Sequence, residues 1–274
     1  MGRADAPASA RIAGAFAAGR AQGRALLMPF LVCGYPSEDA FVDTVRACGE
    51  AGADVLEIGI PFSDPIMDGP VIQEAAFSVL ARSPSTASLV SLAGRAVSEA
   101  GIPAVAMTYY NIPFRAGPER FAASLAGSGL CGAIVPDLSV EEAGEWRAAC
   151  DGAGLATVFI AATTSTDERL KAIGAASGGF VYAASMLGVT GVRAELSVGA
   201  RELVGRIRAS TELPVAVGIG VSTPDHAAEV ASYADGVIVG SALVKRVGEA
   251  KDPASEAGRF VAALRAGIAS GRSG

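Results

Sequence analysis

Eight times along the chain a short apolar run gives way to a loop rich in Gly, Pro or Asp, and then to a stretch of helical periodicity. The runs begin near Leu26, Val55, Ala104, Gly132, Ala156, Phe180, Val215 and Gly236. They are almost continuously apolar, as in Val215-Ala216-Val217 and Val237-Ile238-Val239. That is the pattern of parallel strands covered on both faces, since a half-wet strand would alternate. Eight β/α units in 274 residues fill the roughly 250 residues that a closed barrel uses. The fold class read from the sequence is therefore α/β, a single (β/α)8 TIM barrel with an extra N-terminal helix.

Residues 1–274 read as one domain. An N-terminal helix at about 9–20 uses Ile12 and Phe16 to close the barrel bottom; the barrel follows at about 26–250, and a last helix at about 253–269. Helix signals fit this division. Ser37 precedes the acids Glu38 and Asp39, a cap followed by first-turn negative charge, and Phe41, Val45 and Cys48 follow at helical spacing. A second helix is expected after Glu142, carrying Trp146. Asp252-Pro253 is a cap followed by proline at the first helical position, and Phe260, Val261, Leu264 and Ile268 form the apolar stripe behind it.

Composition removes several classes of function. Hydrophobic residues are 51% and charged residues 18% of the chain, too apolar for intrinsic disorder. A net charge of −6 opposes tracking of nucleic-acid phosphates. No apolar run approaches the ~20 residues of a membrane span, and the N-terminus has no apolar signal core, so a cytoplasmic protein is expected. The four cysteines (Cys33, Cys48, Cys131 and Cys150) form no ligand-spaced pair and read as reduced, buried thiols. The three lysines (Lys171, Lys245 and Lys251) lie away from predicted strand ends, which disfavours an imine-forming aldolase. One histidine, His226, and scattered cysteines leave no zinc triad. His226, expected to be exposed at a helix start, gives no Ser-His-Asp set, and no GxGxxG follows the first strand.

Strand starts at 55 and 104 are 49 residues apart, and those at 180 and 215 are 35 apart, longer than the other intervals. Extra chain after a strand suits the C-terminal face, where barrels place their chemistry. The loops after strands two and six are thereby singled out.

Glu57 lies in Asp54-Val55-Leu56-Glu57-Ile58-Gly59-Ile60-Pro61. Alternation puts Val55, Glu57 and Gly59 on one face and the bulkier Leu56, Ile58 and Ile60 on the other. The bulky set should face the helices, which turns Glu57 toward the barrel axis. A carboxyl there is costly unless it is paired or functional, so catalysis competes with a structural role bonded to strand ends. Asp64 and Asp68 follow in a stiff loop with Pro61, Pro65 and Pro70. Each has a turn-forming alternative, Asp64 before proline and Asp68 before glycine. Gly218-Ile219-Gly220 and Gly240-Ser241 end the last two strands, and Gly188-Val189-Thr190-Gly191 lies in the sixth loop. Barrel phosphate sites use the turns after strands seven and eight with a short helix N-terminus; ordinary strand-end turns are the plainer alternative.

The stretch Gly52-Ala53-Asp54-Val55-Leu56-Glu57-Ile58-Gly59-Ile60-Pro61-Phe62-Ser63-Asp64-Pro65, followed by Asp68-Gly69-Pro70, resembles the signature of the tryptophan synthase alpha subunit family. The resemblance continues through Met107-Thr108-Tyr109-Tyr110-Asn111, Val135-Pro136-Asp137, Gly188-Val189-Thr190-Gly191, Gly218-Ile219-Gly220-Val221-Ser222 and Gly240-Ser241-Ala242. It departs at Ser139 and Ala162, where the family often has proline, and at Cys33 and Met186.

The resemblance implies a lyase that cleaves indole-3-glycerol phosphate to indole and D-glyceraldehyde 3-phosphate in L-tryptophan biosynthesis. It implies no cofactor or metal in this subunit. The partner it implies is a pyridoxal-phosphate-dependent beta subunit in an α2β2 heterotetramer, docking near Phe62, Asp64 and Pro65. Family roles fall on Glu57 as general acid/base and on Asp68 as the group facing the indole nitrogen. Phe30, Ile72, Met107, Tyr109, Ile134, Tyr182 and Ile219 would line the indole pocket. Thr190 would position the loop aspartate, and Gly191, Gly218, Gly220, Gly240 and Ser241 would hold the phosphate. The same residues would serve a stand-alone lyase releasing free indole for another pathway. A catalytically idle partner barrel and an unrelated phosphate-binding isomerase explain less, since neither calls for both carboxyls and the proline-rich loop.

Overall fold

Parallel strands Leu26–Val32 (β1), Leu56–Gly59 (β2), Ala104–Met107 (β3), Gly132–Ile134 (β4), Ala156–Val158 (β5), Ile160–Ala162 (β6), Val181–Ala184 (β7), Val215–Gly218 (β8) and Gly236–Val239 (β9) form the centre of the molecule. The computed structural model describes residues 7–184, 193–218 and 220–271. The hydrogen-bonded order is β5-β4-β3-β2-β1-β9-β8-β7-β6. Since β5 and β6 are separated only by Phe159, the ends of this order belong to one stave, and eight staves make a TIM barrel. The split has a local cause. Phe159 N donates to Ser177 Oγ at 3.4 Å and its carbonyl oxygen accepts from Tyr182 N at 3.0 Å, so the chain leaves β4 and takes up β7 at this residue.

Alternation sorts the apolar side chains into two buried clusters. The inner one takes Leu26, Met28, Val55, Val105, Ile134, Val158, Ala216 and Ile238 from the staves, with Ile12, Phe16 and Phe180. The outer one takes the intervening Leu27, Leu31, Leu56, Ile58, Ala106 and Val217, with the inward faces of the helices. Val55 inside and Leu56 and Ile58 outside is the alternation read from the sequence. Each fully buried side chain of this size contributes ~1.5–3 kcal/mol, which makes the barrel wall the principal source of stability.

The helix Ser9–Ala21 covers one end of the barrel. Its Phe16 ring meets Phe180 at 5.6 Å between centroids. Gly132 and Gly179 leave room for Ile12: β carbons there would lie 3.3 and 3.1 Å from its methyl carbons.

The long interval after β2 holds two helices, Pro70–Leu80 and Thr86–Ala100. Its extra length is thus spent on a second helix as well as on a loop. Caps read from the sequence are present: Ser37 Oγ accepts from Ala40 N at 3.3 Å, and Asp252 Oδ1 accepts from Ser255 N at 3.0 Å. His226 departs from expectation. It is half-buried on the helix Pro224–Ala231, with Nδ1 3.3 Å from Ser222 Oγ. Among the described residues no helix is long and apolar enough to cross a membrane.

Candidate functional site

The second stave delivers two groups in opposite ways. Glu57 points inward from β2 and is fully buried, beside Phe30 and Val105 in register. Among the described residues neither of its carboxyl oxygens has a hydrogen-bond partner. Burial therefore pushes its pKa up to about 8, because a charge without partners is disfavoured in an apolar surround. Two residues on, the strand ends at Gly59, and the chain enters the loop that carries Asp68.

The base of this loop is held by the neighbouring stave. Ile60 N donates to Met107 O at 2.8 Å, and Thr108 Oγ1 donates to Ile60 O at 3.3 Å. The Phe62 ring stacks on Tyr109 at 5.4 Å and 26°. Tyr109 Oη accepts from Met67 N at 2.9 Å. Asp68 is partly buried, and its pKa is raised to about 6; burial is the larger effect, opposed by a hydrogen bond from Tyr109. Pro70 then begins the helix Pro70–Leu80, which carries Ile72.

Phe30, Ile72, Met107, Tyr109 and Asp68 line one pocket, together with Gly59, Phe62, Thr108 and Pro136. Glu57 lies in the barrel interior two residues below Gly59 rather than on the wall of this pocket. Ile134 and Tyr182 belong to the inner cluster, as does Met107. The Tyr182 phenol is kept firmly protonated, first by burial and then by the negative potential of Glu57 and Asp68, so it answers electrically to both carboxyls.

The glycine turns border the same region. A β carbon on Gly240 would lie 3.7 Å from Phe30 Cβ and 3.9 Å from Ile72 Cδ1, and Ser241 opens the helix Ser241–Glu249. One on Gly218 would lie 3.0 Å from Tyr182 Cε1. Gly220 has φ +76°, a backbone region that favours glycine. Helix-terminal amides and an exposed serine beside an apolar pocket suit an anionic group. Thr190, Gly191 and Ile219 lie outside the described residues.

One residue was passed over in the sequence. Gln73, in the first turn of the helix Pro70–Leu80, donates to Pro65 O at 3.2 Å and to Asp68 O at 2.9 Å. The only sequence signal for it was its place just after Gly69-Pro70, within reach of the loop that this helix closes. Among the described residues no group of three or more His, Cys, Asp or Glu could hold a metal ion.

Comparison with known proteins adds to this geometry. The family model for the tryptophan synthase alpha chain matches residues 16–269. A tryptophan synthase alpha chain of Streptomyces avermitilis is 48% identical over 87% of this chain and 86% of its own length. One of Streptomyces coelicolor is 48% identical over 93% of this chain and 94% of its own. Among solved structures, tryptophan synthase of Mycobacterium tuberculosis is similar with a TM-score of 0.85 and 43% identity, covering 94% of this chain and 98% of that one. The tryptophan synthase subunit alpha of Legionella pneumophila has a TM-score of 0.88 and 31% identity, covering 95% and 98%.

Proposed function

The chain belongs to the tryptophan synthase alpha chain family, and from that premise we propose that Glu57 and Asp68 divide the proton chemistry of its reaction. The chain is a carbon–carbon lyase that cleaves indole-3-glycerol phosphate to indole and D-glyceraldehyde 3-phosphate, as the alpha subunit in L-tryptophan biosynthesis. Its partner is the beta subunit, which carries the pyridoxal phosphate. Relatives named as alpha chains over nearly their whole length favour this role over a stand-alone lyase.

Retro-aldol cleavage needs somewhere for the electrons of the breaking bond to go. In this substrate the indole ring provides it once its C3 is protonated. The Glu57 carboxylic acid gives that proton, and the positive charge that forms is shared with the ring nitrogen. The Asp68 carboxylate accepts a hydrogen bond from the ring N–H and stabilises the charge. The Glu57 carboxylate then removes the proton of the side-chain hydroxyl next to the ring. The C3–carbon bond breaks, its electron pair neutralises the ring, and indole and the aldehyde separate with Glu57 reprotonated.

One observation supports this division most directly. Glu57 is buried with no hydrogen-bond partner among the described residues and is held up to about 8, while Asp68 is raised only to about 6, so near pH 7 one is an acid and the other a carboxylate. Phe30, Ile72, Met107, Tyr109, Ile134, Tyr182 and Ile219 would enclose the indole. Gly191, Gly218, Gly220, Gly240 and Ser241 would take the phosphate, and Thr190 would position Asp68. Residues 1–274 act as one barrel unit in an α2β2 assembly. A cytoplasmic site of action is supported by four free, buried thiols.

Indole release, measured with a beta subunit present, tests the assignment. Glu57→Gln and Asp68→Asn should each lose roughly 100-fold or more in kcat. Near-normal turnover by Glu57→Gln overturns the acid role.

A further inference from the structure

Asp68 is carried by a loop whose final turn is closed by a single backbone bond, from Asp68 N to Pro65 O at 3.0 Å. Two side chains reach this turn from outside. Gln73 Nε2 donates both to Pro65 O at 3.2 Å and to Asp68 O at 2.9 Å, the carbonyls at the two ends of the turn. Tyr109 Oη accepts from Met67 N at 2.9 Å, and the phenol lies close enough to the Asp68 carboxyl to lower its pKa against the effect of burial. Gln73 has a firm base of its own, since its backbone N–H bonds to Gly69 O at 3.0 Å in the first turn of the helix Pro70–Leu80.

The orientation of the Gln73 amide follows from its surroundings. Reversed, it would set Oε1 against two carbonyl oxygens, so only the nitrogen can face them. A carboxamide has two N–H protons, and here the two acceptors are three residues apart on one turn. A single rigid group thus fixes the span of the turn that ends in Asp68.

We infer that Gln73 is a positioning residue for the lyase reaction: its carboxamide, with the Tyr109 phenol as second arm, clasps the Pro65–Asp68 turn and sets where the Asp68 carboxyl stands over the pocket. The inference rests on Asp68 facing the indole nitrogen. No other side chain of similar size supplies the same contacts. Methionine fills the volume and donates nothing; asparagine is one methylene too short; a carboxylate turns both contacts into repulsions. A misplacement of about 1 Å at a group that acts on developing charge costs up to ~100-fold in rate.

The experiment compares wild type, Gln73→Met, Gln73→Glu and Asp68→Asn, each with the beta subunit, by kcat and KM for indole-3-glycerol phosphate across pH and by melting temperature. Gln73→Met should lose about tenfold or more in kcat with KM changed less than about threefold. Its acid limb should move to lower pH, because a loosened Asp68 meets more water. Gln73→Glu should match that loss at alkaline pH and recover part of it, relative to wild type at the same pH, as the pH falls, since the protonated carboxyl can donate to one of the two carbonyls.

If Gln73→Met keeps the wild-type kcat and acid limb while Asp68→Asn is inactive, the clasp is overturned and the role of Asp68 stands. If Asp68→Asn remains active, the role of Asp68 falls and takes the clasp with it. A lower melting temperature with an unmoved acid limb and no low-pH recovery in Gln73→Glu also overturns the clasp, leaving Gln73 a structural contact.

Discussion

Gly59 makes the place in which the Phe30 ring lies: a β carbon built on Gly59 would sit 2.6 Å from Phe30 Cζ and 2.8 Å from Cε2. The two residues are on adjacent staves, with Gly59 in register with Val32, so the ring leans from β1 across the end of β2. It forms part of the pocket wall and adjoins Gly240. Gly59→Ala must push the ring aside. The expected result is a fall in kcat/KM of about tenfold, carried mainly by KM, with a loss of ~1–3 kcal/mol in stability from overpacking. Steady-state kinetics and urea unfolding measure the two; unchanged kinetics would show that the ring does not shape the substrate site.

The two carboxyls should give the reaction a bounded pH range. Asp68, near 6, must be ionised to stabilise the ring nitrogen, so kcat rises through about that pH. Glu57, near 8, must be protonated to act as the acid, so kcat falls as pH rises through about 8. The profile is bell-shaped, and its limbs belong to the interacting pair. Asp68→Asn should remove the acid limb and Glu57→Gln the alkaline one from whatever activity remains. An alkaline limb that persists in Glu57→Gln would assign it to another group.

Glu57 also links pH to stability, with a sign fixed by its burial. Its folded pKa, near 8, lies above its value in the unfolded chain, so the folded state binds the extra proton. Its contribution is fully present below the unfolded value, declines as the pH rises, and is lost once the pH passes about 8. Glu57→Gln cannot ionise and escapes this loss. The variant should therefore gain on wild type as pH rises, by roughly a few kcal/mol near pH 9, while losing activity. Chemical denaturation at pH 5, 7 and 9 measures this, and a difference that does not change with pH would refute it.

The barrel was legible because its staves are apolar on both faces and recur eight times, a pattern that few folds share. Glu57 was legible because alternation around Val55, Leu56 and Ile58 leaves only one direction for it. The gap at Phe159 was not, since it depends on Ser177 lying across the barrel stave and taking one N–H. Nor was Gln73, because a bond from a side chain to two main-chain carbonyls leaves no periodic trace. The half-burial of His226 came from its contact with Ser222, a pairing that helix-start signals do not encode.

At the end of the barrel near the start of β1, Asp54 gathers the charges that tie the chain together. Its carboxylate accepts from Arg24 at 2.9 and 2.8 Å, from Arg265 Nη1 at 3.1 Å and from Leu27 N at 2.9 Å. The C-terminal helix is thereby bound to β1 and to the residues that lead into β2. Asp54→Ala leaves two half-buried guanidinium groups and a strand N–H without their acceptor. A loss of about 2–4 kcal/mol in stability is expected, with kcat unchanged at temperatures where the variant is folded, because the chemistry lies at the opposite end. Thermal denaturation and indole release separate the two effects; a large fall in kcat in the folded variant would contradict that separation.

The mouth of the barrel exposes apolar side chains that the chain itself does not cover. Ile66 is 80% exposed, Phe114 64% and Met67 54%, whereas Pro65 is buried and Phe62 half-buried. The surface expected to meet the beta subunit thus shifts from Phe62 and Pro65 to the loop tip and to the helix Asn111–Ala116. A few well-packed, fully desolvated side chains near the centre of an interface carry most of its binding energy. Ile66→Asp and Phe114→Asp should each weaken binding to the beta subunit by about tenfold or more, since each charge would be buried without a partner. Neither side chain lines the pocket, so the lyase activity of the subunit measured alone should change less than about twofold. Calorimetric titration with the beta subunit, paired with indole release by the subunit alone, tests both halves. Undiminished affinity in both variants would place the interface elsewhere on the barrel.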